Sequence, residues 1–234
     1  MTDSESTPSW RVALKDENHP LYRAAWVLFS QSYKVEKAAK RLERDRDLLA
    51  PFFIEVIETE ELWYTDAPGQ GKAPARAIEL AGHLKLTDVI PTIVNVLCDP
   101  EHFDNYSDVY YAATQNTPRY GEIIIAPILE RVREVMTHSE PGTNAHGAAM
   151  SALMAATRAV PGNDDVFQAL QAVYEHADRD DFNTLEYMSR CMMECDPDRA
   201  KPYLNASIRQ RKIKGENRKA IEGNIKYYQS MRNL

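Results

Sequence analysis

This sequence is short of the features that most quickly assign a function. No apolar run approaches the roughly 20 residues that a membrane-crossing helix requires, so no spanning segment is expected. The opening MTDSESTPSW has neither a basic start nor an apolar core, and no secretory leader is expected there. Cysteine is limited to Cys98, Cys191 and Cys195, an odd set without framework spacing, which argues against a disulfide scaffold and for a reducing, cytoplasmic setting. Catalytic signatures are also missing. Six histidines are present, but HExxH, paired CxxC and nucleophile-elbow motifs are not, so no catalytic residue, metal ligand or cofactor is assigned. Cys191 and Cys195 stand one turn apart among Met188, Met192 and Met193, which reads as core packing. His102, with Asp99, Asp104 and Asp108 nearby, lacks the glycine and spacing of an EF-hand and reads as an acidic turn. Glycine, at nine residues, is scarce while helix formers abound, which directs the reading toward helices.

What is present is a recurring apolar phrase at intervals of roughly 35 to 40 residues, the spacing of a stacked repeat. It reads LLAPFFIEVI at Leu48–Ile57, DVIPTIVNVL at Asp88–Leu97, IIAPILERVR at Ile124–Arg133, DVFQALQAVY at Asp165–Tyr174 and RAKPYLNASI at Arg199–Ile208. Aligned on Pro51, Pro91, Pro127, Gln168 and Pro202, three rows emerge. Leu49, Val89, Ile125, Val166 and Ala200 stand two before the anchor; Phe53, Ile93, Leu129, Leu170 and Leu204 stand two after it. Val56, Val96, Val132, Val173 and Ser207 stand five after it. Steps of four and three put these side chains on one helical face. An early proline loses no hydrogen bond, because the first N–H groups of a helix have no internal partner, so each phrase is expected to open a helix.

Alanine-rich segments precede several of these helices. Ala75–Leu86 buries Ala77, Leu80, Ala81 and Leu84; Asn144–Val160 carries Ala148, Ala149, Ala152, Leu153 and Ala156; Thr184–Cys195 is a third. The counterpart between Asp108 and Gly121 is poor, weakened by Thr114, Asn116 and Thr117 before Pro118. Ala75-Arg76-Ala77-Ile78-Glu79-Leu80-Ala81-Gly82-His83-Leu84 followed by Asp88–Leu97 resembles a HEAT-type repeat of the kind noted in phycobilisome lyases. The resemblance covers roughly 47–212. It implies an all-α fold, a right-handed α-α superhelix or HEAT-like solenoid of about five helical hairpins. It is nearly silent on activity, since such repeats serve as scaffolds, adaptors, lyases and DNA-repair enzymes.

The remaining segments fit around that core. Residues 1–9 are expected to be disordered and 10–234 to form a single domain. Helices in 19–46 would cap one end, and a basic capping helix in 213–234 the other. Tyr64–Pro74 reads as a flexible insertion. From Arg199 to Leu234 ten basic residues stand against two acidic ones, a surplus of eight that leaves −15 for the rest of a chain with net charge −7. The acidic remainder argues against extended contact with nucleic acid.

In a helical solenoid the second helix of each hairpin usually lines the concave surface. The outward rows four and seven after the anchors then supply the partner-binding candidates Glu55, Glu58, Asn95, Arg131, Glu134, Glu175 and Arg209, an acidic groove with a basic end. Trp63, Tyr64, Tyr106 and Tyr110 are candidate aromatic anchors. The expected function is non-enzymatic binding of a protein or peptide on this face; the composition leaves oligomeric state open. The alternative that the resemblance implies is an enzyme, either a chromophore lyase or a DNA glycosylase-like protein using Trp63 with Glu58 or Glu134. The helices bearing those carboxylates carry no basic rows to hold phosphates.

Overall fold

A computed structural model describes residues 7–105 and 107–232. Among these residues the chain is helical, without strands, and it divides at Tyr120–Gly121 into two compact units where the sequence leads one to expect a single domain over 10–234. The first unit contains α1 (Ser9–Lys15), α2 (Tyr22–Phe29), α3 (Val35–Leu42), α4 (Arg46–Glu58), α5 (Ala73–Leu84), α6 (Ile90–Leu97), α7 (Pro100–Asp104) and α8 (Asp108–Asn116). The second contains α9 (Ile125–His138), α10 (Asn144–Ala159), α11 (Asp164–His176), α12 (Phe182–Cys195), α13 (Pro197–Gln210) and α14 (Gly215–Arg232). The boundary falls in the 3-10 segment Thr117–Ile124, where Gly121 has φ 60° and ψ −137°, in the stretch that the sequence marks as a poor helix former.

In the first unit α5 packs against α3, α4 and α8, and α6 against α4 and α8; in the second, α10 packs against α9, α11 and α12, and α12 against α11, α13 and α14. The alanines explain how. Ala77 and Ala81 are fully buried in α5, and a Cβ on Gly82 would stand 3.1 Å from Asn116 Cβ of α8, so small residues set the helix separation there. Polar caps define the starts of the later helices: Ser107, Thr143, Asn163, Asp181 and Asp196 each accept a backbone N–H from the first turn of α8, α10, α11, α12 and α13.

The aligned rows are core. Leu49, Val89, Ile125, Val166 and Ala200 are all buried, as are Phe53, Ile93, Leu170 and Leu204, while Leu129 and Val173 are half-buried. The anchor prolines depart from the expectation in two cases. Pro91 and Pro127 lie in the first turn of α6 and α9, but α4 and α13 begin five residues before Pro51 and Pro202. Pro51 sits on the exposed face, where water can serve the backbone carbonyl that its missing N–H leaves open.

Two further features were not anticipated. Ser9 and Trp10 belong to α1, whose Trp10 and Ala13 are buried and whose Trp10 ring stacks on Phe29 at 5.4 Å. Within the expected insertion Tyr64–Pro74, residues 64–72 form a chain of turns, closed by Ala67 N–H to Tyr64 O, Gln70 N–H to Ala67 O and Lys72 N–H to Gly69 O, and Ala73 and Pro74 already belong to α5. Gly71, at φ 74°, leaves no room for a side chain, since a Cβ would come within 2.9 Å of the Trp63 carbonyl oxygen. Truncating a buried row residue, Phe53→Ala in the first unit or Leu170→Ala in the second, is expected to lower unfolding free energy by about 3 kcal/mol, read as a reduced urea midpoint with unchanged slope.

Candidate functional site

In the second unit α9 and α11 flank a groove of about 1360 Å³. Ile125, Leu129, Val132 and Met136 of α9 face Ala169, Ala172 and Val173 of α11 across it. Leu129 and Val173 are only half-buried for this reason: the repeat pattern aims them inward, and the groove leaves one side of each open. The acids Glu122, Glu130, Asp165 and Asp181 line the same groove with one guanidinium, Arg133. Counting the carboxylates and the guanidinium alone, the lining carries a net charge of −3.

At one end the C-termini of α9 and α11 meet the N-termini of α10 and α12. Thr143 Oγ1 accepts the His146 backbone N–H at 3.3 Å, and Asp181 Oδ1 accepts that of Thr184 at 3.0 Å. His146, Asp181 and Thr184 line this end together with Ser139, the residue that follows α9. The His146 side chain is buried, at 9% exposure, and its Nδ1 has no hydrogen-bond partner; Ser139 Oγ is likewise enclosed and unpartnered. Burial lowers the His146 pKa against the opposing pull of the Asp181 carboxylate, so the ring is neutral at pH 7.

None of the seven charged or polar candidates from the sequence lines this groove. Glu55 accepts the Ser9 backbone N–H at 2.6 Å and its hydroxyl as well, which ties α1 to α4. Glu58 accepts from Thr92 Oγ1 at 3.0 Å, and Glu175 from Tyr203 Oη at 2.7 Å. Thr92 and Tyr203 each stand one residue after an anchor proline, and the two contacts join α4 to α6 in the first unit and α11 to α13 in the second. Arg131 and Glu134 pair with each other at 2.6 Å along α9, and Asn95 and Arg209 are exposed.

The aromatic candidates also separate. Trp63 Nε1 donates to Ile57 O at 2.8 Å and its ring lies 4.2 Å from that of His102, while Tyr110 is buried edge-on to Phe103. Tyr64, 54% exposed, donates to Glu60 at 3.1 Å. Tyr106 lies outside the described residues. Asp99 caps α7 through Glu101 N and His102 N, and His102 itself is buried with Nδ1 3.0 Å from Ser107 Oγ. Burial lowers its pKa, with Asp99 and Glu101 pulling the other way. Cys191 and Cys195 are packed in the core, and burial raises both thiol pKa values. Among the described residues no group of three or more His, Cys, Asp or Glu could hold a metal ion, and no helix is long and apolar enough to cross a membrane.

Part of the basic surplus is engaged internally. Arg211 donates to Tyr174 O at 2.8 Å and to Ala177 O, and Arg199 pairs with Asp164 while lying 4.3 Å over the Phe167 ring. Lys212, Lys214, Lys219 and Lys226 are exposed. Compared with protein-family models, curated proteins and solved structures, the chain finds no match.

His83, His102 and His146 all have pKa values depressed by burial, so the unfolded chain binds protons where the folded protein does not. Stability is complete above about pH 6.5 and is lost as pH falls through the folded pKa values. Urea unfolding is expected to show a lower midpoint at mildly acidic than at neutral pH, and His102→Gln to reduce that difference. For the Glu175–Tyr203 contact, a double-mutant cycle with Glu175→Gln and Tyr203→Phe is expected to give a coupling of about 1 kcal/mol.

Proposed function

We propose that the protein is a non-enzymatic binding module, a short HEAT-like solenoid that holds a peptide segment of a partner protein in the groove between α9 and α11. The observation that carries this reading is the groove's lining, an apolar floor edged by four carboxylates against one guanidinium. Its size supports a peptide over a small molecule, since about 1360 Å³ exceeds the roughly 300–1,000 Å³ typical of small-ligand pockets. An amphipathic segment fits both properties, with aliphatic side chains on the floor and Lys or Arg toward the acids. The same charge balance disfavours a nucleic acid, whose phosphates would meet those carboxylates.

The solenoid reading is supported by how the elements repeat. First helices pack on first helices, α3 on α5 and α5 on α8, then α10 on α12 and α12 on α14. Hydrogen bonds join residues one repeat apart: Glu58 with Thr92 at a separation of 34, Tyr174 with Ser207 at 33, and Asn217 with Arg179 at 38. Stacked units held by nearest-neighbour contacts produce such spacing.

Selection of a random peptide library on the intact protein is expected to enrich sequences that combine aliphatic residues with Lys or Arg. For a selected peptide, Glu130→Lys or Asp165→Lys should weaken binding about tenfold, and added salt should weaken it further. Glu134→Lys, outside the groove, should change it little. Selected peptides indifferent to both groove substitutions would remove this reading.

A further inference from the structure

We infer that the segment held in this groove is α14 of a second copy of the chain, an assignment that rests on the binding function proposed above and names its partner. Helix α14 has two faces. Ile221 and Ile225 are buried, and the helix packs on α12 and α13. On the other side Lys219, Gly223, Lys226, Tyr227, Ser230 and Met231 are exposed, and at about 100° per residue they share an arc of about 140°.

That arc is uncovered. Tyr227 and Met231 are 57% and 56% exposed, and a Cβ on Gly223 would meet nothing within 4 Å. Lys219 and Lys226 make no ion pair among the described residues, whereas the neighbouring Arg218 is held by Glu222 at 2.8 Å. The arc therefore joins two open apolar side chains to two unpaired cations, the combination that the groove calls for.

The two surfaces match in charge, length and relief. The groove lining carries four carboxylates against one guanidinium, and from Lys219 to Met231 the arc holds two ammonium groups and no carboxylate. Lys219 to Met231 spans about 18 Å along the axis, and the fourteen residues of α9 about 21 Å. Gly223, Lys226, Tyr227 and Ser230 outline a hole with no side chain at its glycine corner, the relief that admits a side chain from a facing helix.

A preformed helix also suits an apolar floor. Its backbone groups are bonded within it, while an extended peptide would set N–H and C=O groups against Leu129, Met136 and Val173. Being ordered already, α14 docks without the entropy cost of folding a free segment. The occupant comes from another copy, because α14 packs on α12 and α13 of its own chain and none of its residues lines the groove. The contact joins unlike surfaces, so two copies close on each other by exchanging α14 reciprocally, and otherwise the contact repeats along a row.

Sedimentation equilibrium of the full chain at low salt tests this. The mass is expected to rise above the 26.7 kDa of one copy as concentration increases from about 1 to 300 μM, and to fall back on adding salt. Two paired variants, Lys219→Glu with Lys226→Glu and Glu130→Lys with Asp165→Lys, alter exposed side chains only, and each alone is expected to keep the mass of one copy. Mixed in equal amounts they are again complementary, and association should return. A wild-type chain with the mass of one copy throughout overturns the inference; the groove stands if library-selected peptides still bind it, and a different protein fills it. Association that persists in both variants, or a mixture that does not recover it, overturns the inference as well. Selected peptides indifferent to Glu130→Lys and Asp165→Lys remove the groove, and the docking of α14 with it.

Discussion

Some helices of this protein are surrounded on nearly every side, and that constraint dictates where a ligand can go. Eight of the twelve residues of α5, nine of the sixteen of α10 and eight of the fourteen of α12 are buried, against three of fourteen in α9 and four of thirteen in α11. A helix buried on more than half its circumference cannot satisfy itself within one hairpin and must be enclosed by neighbours. Alanine makes the enclosure feasible by keeping those neighbours close. In the second unit α9 and α11 keep a free face, and the groove lies between these two.

The helices and their buried rows were readable because helical burial writes itself into the sequence with a fixed period. The row two before each anchor is buried in all five copies, a result that needs only 3.6-residue periodicity. Where the reading missed, a competing effect explains it. Pro51 and Pro202 lie inside their helices because their exposed turns tolerate the lost bond, so proline did not mark a start. Helix α1 is a single short amphipathic stretch, seven residues long, below the length at which periodicity stands out. The turns of Tyr64–Pro74 look like a loose glycine-rich loop in sequence, and only the contact of Gly71 with the Trp63 carbonyl shows that the glycine fits a tight space.

The candidate site was less legible. The rows four and seven after the anchors were expected to point outward and stay open, yet Glu58 is engaged by Thr92 of α6 and Glu175 by Tyr203 of α13. On α9 the charged residues that line the groove, Glu130 and Arg133, each stand one position before Arg131 and Glu134 of those rows. A helix turns by about 100° per residue, so that one-position error moves a side chain from the groove to its flank. His146 carried no signal as a lone histidine in an alanine-rich helix. Its significance comes from the three-dimensional meeting of helix ends that sequence spacing does not encode.

The cysteines have a use that has nothing to do with chemistry in the cell. Cys98 is buried in the first unit, and Cys191 and Cys195 in the second. A buried thiol reacts with an alkylating reagent only when the structure around it opens. The positions that gain mass first under such labelling therefore record whether the two halves of the chain loosen in concert or separately, a clock already built into the native protein.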